Sequence, residues 1–369
     1  MKRIPYTRPS ITKLEIDYVT DAITNGWGER CYDYIKKFEQ RFGEYLGSKY
    51  CLATSSCTGA LTIALATIGV KPGDEVIVPD ITWVASATPI IHLGAKPVFV
   101  DVLPDTWCIN PDKIEAAITK KTKAIVVVHL YGNLAEMDEI MDIAKKHDLI
   151  VIEDAAEALG SEYKGKKAGS IADMGVFSFH GTKMVTTGEG GMLVTNNETL
   201  FQKSTMLNDH GRDPKIRKAF WCDCLGYKFK MSNIQAALGV AQMERIEELL
   251  KRKIEIFQTY KKLLSDVKNI SMNPEQEYAK NSYWMPTVIF DRKLNIDREK
   301  LISHFKERGV DIRPFFYPIS MFPFLKKKEE NVISYNLYYR GINLPTYHEI
   351  SEEDMKLVSN ILKEFMRKV

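Results

Sequence analysis

Three stretches of this chain place reactive side chains where an apolar run ends. In FSFHGTKMVTTGEGGMLVT, 177–195, Lys183 sits in a turn between two apolar strands, beside a glycine-rich hairpin. A lysine withdrawn from water loses proton affinity and becomes a nucleophile toward carbonyls; on an open loop it snorkels its ammonium into solvent instead. Asp154 closes the run LIVIEDAA, 149–156, and a carboxylate so placed is partly desolvated and needs a cationic partner. It can cap the following helix or hold a ring nitrogen protonated so that the ring withdraws electrons. In SSCTGALTIAL, 55–65, small and hydroxylic residues follow one apolar strand and open a helix. Free backbone N–H groups and the helix dipole then converge on one point, which suits a phosphate, although Ser and Thr are also ordinary N-caps. His210, Cys222 and Cys224 do not make a zinc site, because CDC lacks the two-residue gap and a fourth ligand is missing. No metal is expected.

Holding such groups at strand ends takes a sheet. From about 49 to 195, short β-branched runs (EVIVPD 75–80, PVFVDV 97–102, KAIVVVHLYG 123–132, LIVIEDAA, MGVFSFH 174–180, GMLVT 191–195) alternate with segments such as 56–68 and 137–147 that carry apolar residues at helical spacing. This is the pattern of a βαβ sheet covered on both faces. A long helical stretch over 232–264 leads into strand-like YWMPTVIF, 283–290, and a helix around 298–308. The 369 residues exceed what one core usually holds, and the expected division is a large domain over 1–245 and a smaller one over 246–369. The net charge of +3 is spread through both halves without a basic stripe, so nucleic acid is not an expected partner. Six cysteines (Cys31, Cys51, Cys57, Cys108, Cys222, Cys224), no signal-peptide stretch and no apolar run near 18 residues point to a cytoplasmic protein that does not span a membrane.

A phosphate turn, a strand-end Asp and a strand-end Lys follow one another in the order expected for a pyridoxal-phosphate (PLP) site. The strings VPDITWVASA, VHLYGN, IEDAAEALGSEYKGKKAGSIADMGVFSFHGTK, GEGGMLVT, LGYKFKMSNIQAALG and INLPTYHEIS resemble the DegT/DnrJ/EryC1/StrS family of sugar aminotransferases over nearly the whole chain. That resemblance implies the type I PLP-dependent transferase fold: an α/β domain on a mostly parallel seven-stranded sheet, with a smaller C-terminal α+β domain. It also implies a homodimer with shared active sites. Position by position, Lys183 matches the lysine that forms the Schiff base with PLP, and Asp154 matches the partner of the pyridine nitrogen. Trp83 matches the aromatic residue stacked on the ring, and Cys57, Thr58 and Ser178 match the phosphate cup. Glu157 stands where the family usually has Gln or His beside the ring's phenolic oxygen. Lys228, in LGYKFKM, replaces the Asn that reaches the phosphate from the neighbouring subunit.

The implied reaction moves an amino group from L-glutamate to a nucleotide-linked keto-sugar. IRPFFYP, 312–318, resembles the members that aminate C4 of GDP-4-keto-6-deoxymannose; members acting on UDP- or dTDP-linked 4-keto-6-deoxy sugars share most of the other strings. His180, Arg313, Phe316 and Tyr317 are the expected substrate-side residues, and Arg313 reads equally as a structural ion pair. The family's dehydratases carry His in place of the Schiff-base Lys, and this chain keeps Lys183. An NAD-dependent oxidoreductase would need a G-x-G-x-x-G after its first strand, which is not found. A PLP-binding regulator without catalysis is the remaining alternative of a different class.

Overall fold

The computed structural model describes residues 3–216 and 218–368. Its first half builds strands β1 (Tyr50–Thr54), β2 (Glu75–Pro79), β3 (Lys96–Val100), β4 (Thr122–Val128), β5 (Ile150–Asp154), β6 (Glu162–Tyr163), β7 (Lys166–Lys167), β8 (Met174–Ser178) and β9 (Gly191–Thr195). Seven of them form one sheet in the order β1-β9-β8-β5-β4-β2-β3. Pairings β2–β3, β2–β4, β4–β5 and β5–β8 are parallel, and only β9 runs against the rest. The apolar runs are nearly unbroken because both faces are buried, as in β4, where Ala124 to Val128 are all covered.

Helices α1 (Lys13–Asn25), α2 (Asp33–Leu46), α3 (Cys57–Thr67), α4 (Thr88–His92), α5 (Pro111–Ala117), α6 (Met137–Lys146), α7 (Glu198–Asn208) and α8 (Asn233–Glu244) belong to this part. Two apolar clusters result, one including Phe38 and Phe42 of α2 and the other Leu61 and Leu65 of α3. The last part contains α9 (Ile246–Leu263), β10 (Ile270–Met272), β11 (Ala279–Lys280), β12 (Thr287–Phe290), α10 (Arg298–Lys306), β13 (Arg313–Pro314), α11 (Val332–Leu337), β14 (Gly341–Asn343) and α12 (Glu352–Met366). Its sheet, β10-β12-β14-β13, is antiparallel, and β11 joins β6 and β7 in a small third sheet. A separate apolar cluster lies here, joined by Ile4 from the N-terminal segment, which bridges to Val310.

The architecture is the α/β arrangement expected from the sequence, with two local differences. The stretch 232–264 is two helices that break at Arg245, whose guanidinium binds Glu15 at 2.8 Å, Ser10 and Glu248. Of YWMPTVIF, only Thr287–Phe290 is strand. Tyr283 takes a φ of 49°, which turns the chain and carries Trp284 toward the large sheet's strand ends.

Candidate active site

The parallel strands end in a cavity of about 610 Å³. Every residue singled out as catalytic, cofactor-binding or substrate-binding lines it except Lys228. The expected phosphate cup lies at the β1–α3 turn. Ser56 caps α3 by accepting from the Gly59 N–H at 3.0 Å, so the first-turn N–H groups of Cys57 and Thr58 lie at the cavity rather than inside the helical ladder. β9 passes directly behind: a Cβ on Gly191 would stand 2.5 Å from the Cys57 nitrogen, which is why the hairpin GEGG ends in a glycine. Ser178, at the end of β8, faces the same space.

Asp154 ends β5 and is buried. Its Oδ2 accepts from the Ser86 hydroxyl at 2.8 Å and its Oδ1 from the Ala156 N–H at 3.2 Å. Both donors are neutral, and burial pushes the carboxyl above the usual carboxylate range. A cation arriving in the cavity would therefore hold it ionised. The Ala156 contact is the local turn expected of a cap, and the Ser86 contact anchors the other oxygen of this cavity-lining carboxyl.

Lys183 follows β8 in a turn closed by its own N–H donating to the His180 carbonyl at 2.8 Å. Its ammonium lies 3.6 Å from Glu157 Oε1 and 3.6 Å from the centroid of the Trp284 ring. Only 13% of the side chain is exposed, so the snorkelling reading does not hold. Glu157 accepts the Tyr131 N–H at 3.0 Å, and burial, only partly opposed by Lys183, raises its pKa to about 7. A carboxyl in that range can carry a proton toward an oxyanion that a permanent carboxylate would repel.

The opposite wall is aromatic. Phe316 stacks on Tyr131 at 5.2 Å and faces Trp83 at 6.1 Å, and Tyr131 stacks in turn on Trp284 at 5.9 Å. Tyr317 stands at the mouth, its hydroxyl accepting from Arg298 at 2.7 Å. Arg313 lines the cavity while paired to Asp311 at 2.5 Å, so both of its readings have a contact behind them. His180 is exposed at the rim, its Nδ1 2.9 Å from the Thr182 hydroxyl. Lys228 lies away from this cavity, donating to Asp209 at 3.1 Å, and within one protomer it does not meet the cup.

Sequence reasoning missed Ser86, Tyr131, Trp284, Tyr6 and Asn343. VASA and HLYGN carried the first two in plain view, but nothing in their spacing said they touch Asp154 and Glu157. Asn343 lay likewise in INLPTYHEIS with no spacing that tied it to the site, and Tyr6 and Trp284 come from distant segments and had no local signal.

A sheet of six co-directional strands with a lysine, a carboxylate and a helix N-terminus at their ends defines an α/β transferase built around a phosphorylated ring cofactor. The chain belongs to the DegT/DnrJ/EryC1/StrS aminotransferase family, whose profile matches residues 9–363. It is 40% identical to the GDP-perosamine synthase of Escherichia coli O157:H7 over 99% of both chains. It is 33% identical to the UDP-4-amino-4,6-dideoxy-N-acetyl-β-L-altrosamine transaminase of Campylobacter jejuni, over 99% of this chain and 98% of that one. Among solved structures, the PLP form of a candidate sugar aminotransferase from Streptococcus pneumoniae superposes with a TM-score of 0.91 at 30% identity, covering 100% of this chain and 99% of that one. The chain is thus an aminotransferase, and its donor set fits PLP: an N–H cup for the phosphate, an uncompensated buried carboxyl for the ring nitrogen, and an amine for the aldehyde.

Proposed function

We propose that this protein transfers the amino group of L-glutamate to C4 of GDP-4-keto-6-deoxymannose, giving GDP-perosamine. The observation that carries the aminotransferase part is the convergence of Lys183, Asp154 and the Cys57–Thr58 turn on one cavity. Near-full-length identity of 40% to a GDP-perosamine synthase supports the particular substrate. The 33% relative named for a UDP-sugar supports a second reading, the same transfer to a UDP-linked keto-sugar.

When bound, PLP supplies an electron sink that makes the carbon–hydrogen bond beside the nitrogen acidic. The residues of this chain do the rest. Cys57, Thr58 and Ser178 would hold its phosphate, Trp83 would cover its ring, and Asp154 would keep its ring nitrogen protonated. Lys183 would hold its aldehyde group, and the same Nζ, 3.6 Å from Glu157, would take the α-proton of glutamate and deliver a proton to the sugar carbon. Glu157 would hold a proton beside the ring oxygen. The aromatic wall with Phe316 and Tyr317 excludes water and presents flat faces to the nucleotide sugar, with Arg313 and His180 at its diphosphate side.

The reading includes a homodimer in which Lys228 approaches the neighbouring phosphate, a division into lobes at 245/246 and a cytoplasmic, lipopolysaccharide-directed (O-antigen) role. All six cysteines are free thiols, which supports a reducing compartment, and no helix among the described residues is long and apolar enough to cross a membrane. The test is a coupled assay with L-glutamate against GDP-, UDP- and dTDP-linked 4-keto-6-deoxy sugars. Preference for the GDP sugar is the expected result, and turnover confined to UDP or dTDP sugars replaces it.

A further inference from the structure

Outside the cofactor cradle, Asp80 and Asp101 are buried with no cation paired to either among the described residues. Asp80 follows β2 and is fully covered; Asp101 follows β3. Asp80 accepts the Ser320 N–H at 2.9 Å, the Ser320 hydroxyl at 2.8 Å and the Asn331 amide at 2.9 Å. Asp101 accepts the N–H groups of Ile333 and Ser334 at 2.9 and 2.8 Å and the Ser334 hydroxyl at 2.7 Å. These six donors belong to the C-terminal part of the chain; a seventh, the Val102 N–H at 3.0 Å from Asp101 Oδ1, is its own neighbour. A buried carboxylate satisfied only by neutral donors is a costly arrangement, and burial raises the Asp80 carboxyl above its ordinary value, with hydrogen bonds opposing it.

What this clamp joins is the two walls of the substrate side. On one side of Asp80 the chain runs on through Ile81 to Thr82 and Trp83, which line the cavity; on the other, the segment it grips lies between Phe316–Tyr317 and Phe322, which line it too. The backbones are tied at the same place, the Ile319 N–H donating to the Asp80 carbonyl at 2.6 Å and Ile81 bridging to Pro318. The Trp83 and Phe316 rings, 6.1 Å apart, thus stand on the two segments that this contact joins.

We propose that Asp80 is a positioning residue that sets the width of the keto-sugar side of the cleft by clamping residues 318–331 onto the end of β2. The inference rests on the aminotransferase reading above. It predicts a split between half-reactions, since the Cys57 turn, Asp154 and Lys183 hang on β1, β5 and β8 and Trp83 stays with Asp80 on the β2 side, so that loss of the clamp frees the segment carrying Phe316 and Tyr317.

The experiment uses holoenzyme carrying Asp80→Ala, Asp80→Asn or Asn331→Ala and follows each half-reaction by cofactor absorbance. Asp80→Ala should raise KM for the nucleotide keto-sugar about ten-fold while the glutamate half-reaction stays within about two-fold. Asp80→Asn, which keeps an oxygen for the Ser320 N–H, should recover part of the loss. Asn331→Ala should act in the same direction with smaller size, and it serves if the Asp80 variants do not fold. Equal slowing of both half-reactions, or an unchanged sugar KM in a folded variant, overturns the proposal. Amide hydrogen exchange of 316–322 is the substrate-independent arm: Asp80→Ala should speed it at least about ten-fold relative to β5, and unchanged exchange also overturns it. If no sugar in the panel converts the wild-type enzyme's pyridoxamine form, the proposed substrate class fails, and the exchange arm still decides the role of Asp80.

Discussion

The cofactor cradle and the substrate wall face each other across one cavity but are built on opposite principles. The proposed cradle takes Cys57, Asp154, Ser178 and Lys183 from the ends of strands in one sheet, each at the last residue of a mostly buried strand or a few residues beyond it. The wall takes Tyr6, Trp83, Trp284, Arg313 and Phe316 from four separate segments, two of them beyond residue 280, and keeps Trp83 57% and Tyr317 41% exposed. On the proposed reading, chemistry common to all substrates would sit on the buried sheet, and recognition of a particular sugar on surfaces joined through side-chain contacts.

The comparison can be broken most severely at its cradle. Lys183→Ala should lower both half-reactions by about 10⁴-fold or more and remove the visible band of the lysine-bound cofactor, because covalent attachment and proton transfer are lost together. Ordinary glutamate turnover in that variant would dissolve the cradle as described. Asp154→Asn should retain cofactor while slowing the proton-transfer step about 10³-fold, seen in single-turnover absorbance with glutamate. Wild-type rates would reduce Asp154 to a turn-forming residue that binds Ala156.

Glu157 sharpens the contrast through pH. Its folded-state pKa of about 7 lies above the ordinary 4.5, so the native state retains a proton that the unfolded chain has released across that window. Stability is then highest below the ordinary value and falls as pH rises toward 7, by up to about 3 kcal/mol. In Glu157→Gln that slope should vanish. Melting temperatures of apo-protein from pH 5 to 8 should show the variant gaining on the wild type, and a constant gap would mean that burial does not govern this carboxyl.

On the wall, Phe316→Ala should raise KM for the nucleotide sugar about ten-fold, with the glutamate half-reaction nearly unchanged. A matching loss in both would show that the wall also holds the cofactor. The smallest effect belongs to Lys228. Lys228→Ala should cost PLP affinity only about 0.5 kcal/mol at high protein concentration and more on dilution. Affinity titrations at two protein concentrations check this, and a concentration-independent value would confine Lys228 to its pairing with Asp209.

How much of this was legible depends on distance along the chain. Asp154 and Lys183 could be read from residue type because each stands beside the apolar run that buries it, and α3 could be read because its cap and phosphate turn lie within four residues. Ser86 under Asp154 is 68 residues away, and Trp284 beside Lys183 is 102 away in the Thr182 contact its indole makes at 3.0 Å. No periodicity connects such pairs.

The sequence by itself determined the α/β class, the strand-end chemistry and the family, since alternating buried runs admit few architectures and local turns place their own side chains. Tertiary structure alone decided that β9 is the antiparallel member, that the helix breaks at Arg245, and that Glu157 carries a pKa near 7 rather than that of an open carboxylate. The physical reason is the same in each case: strand direction, a break held by Glu15 and Ser10, and desolvation all depend on groups that only folding brings within reach.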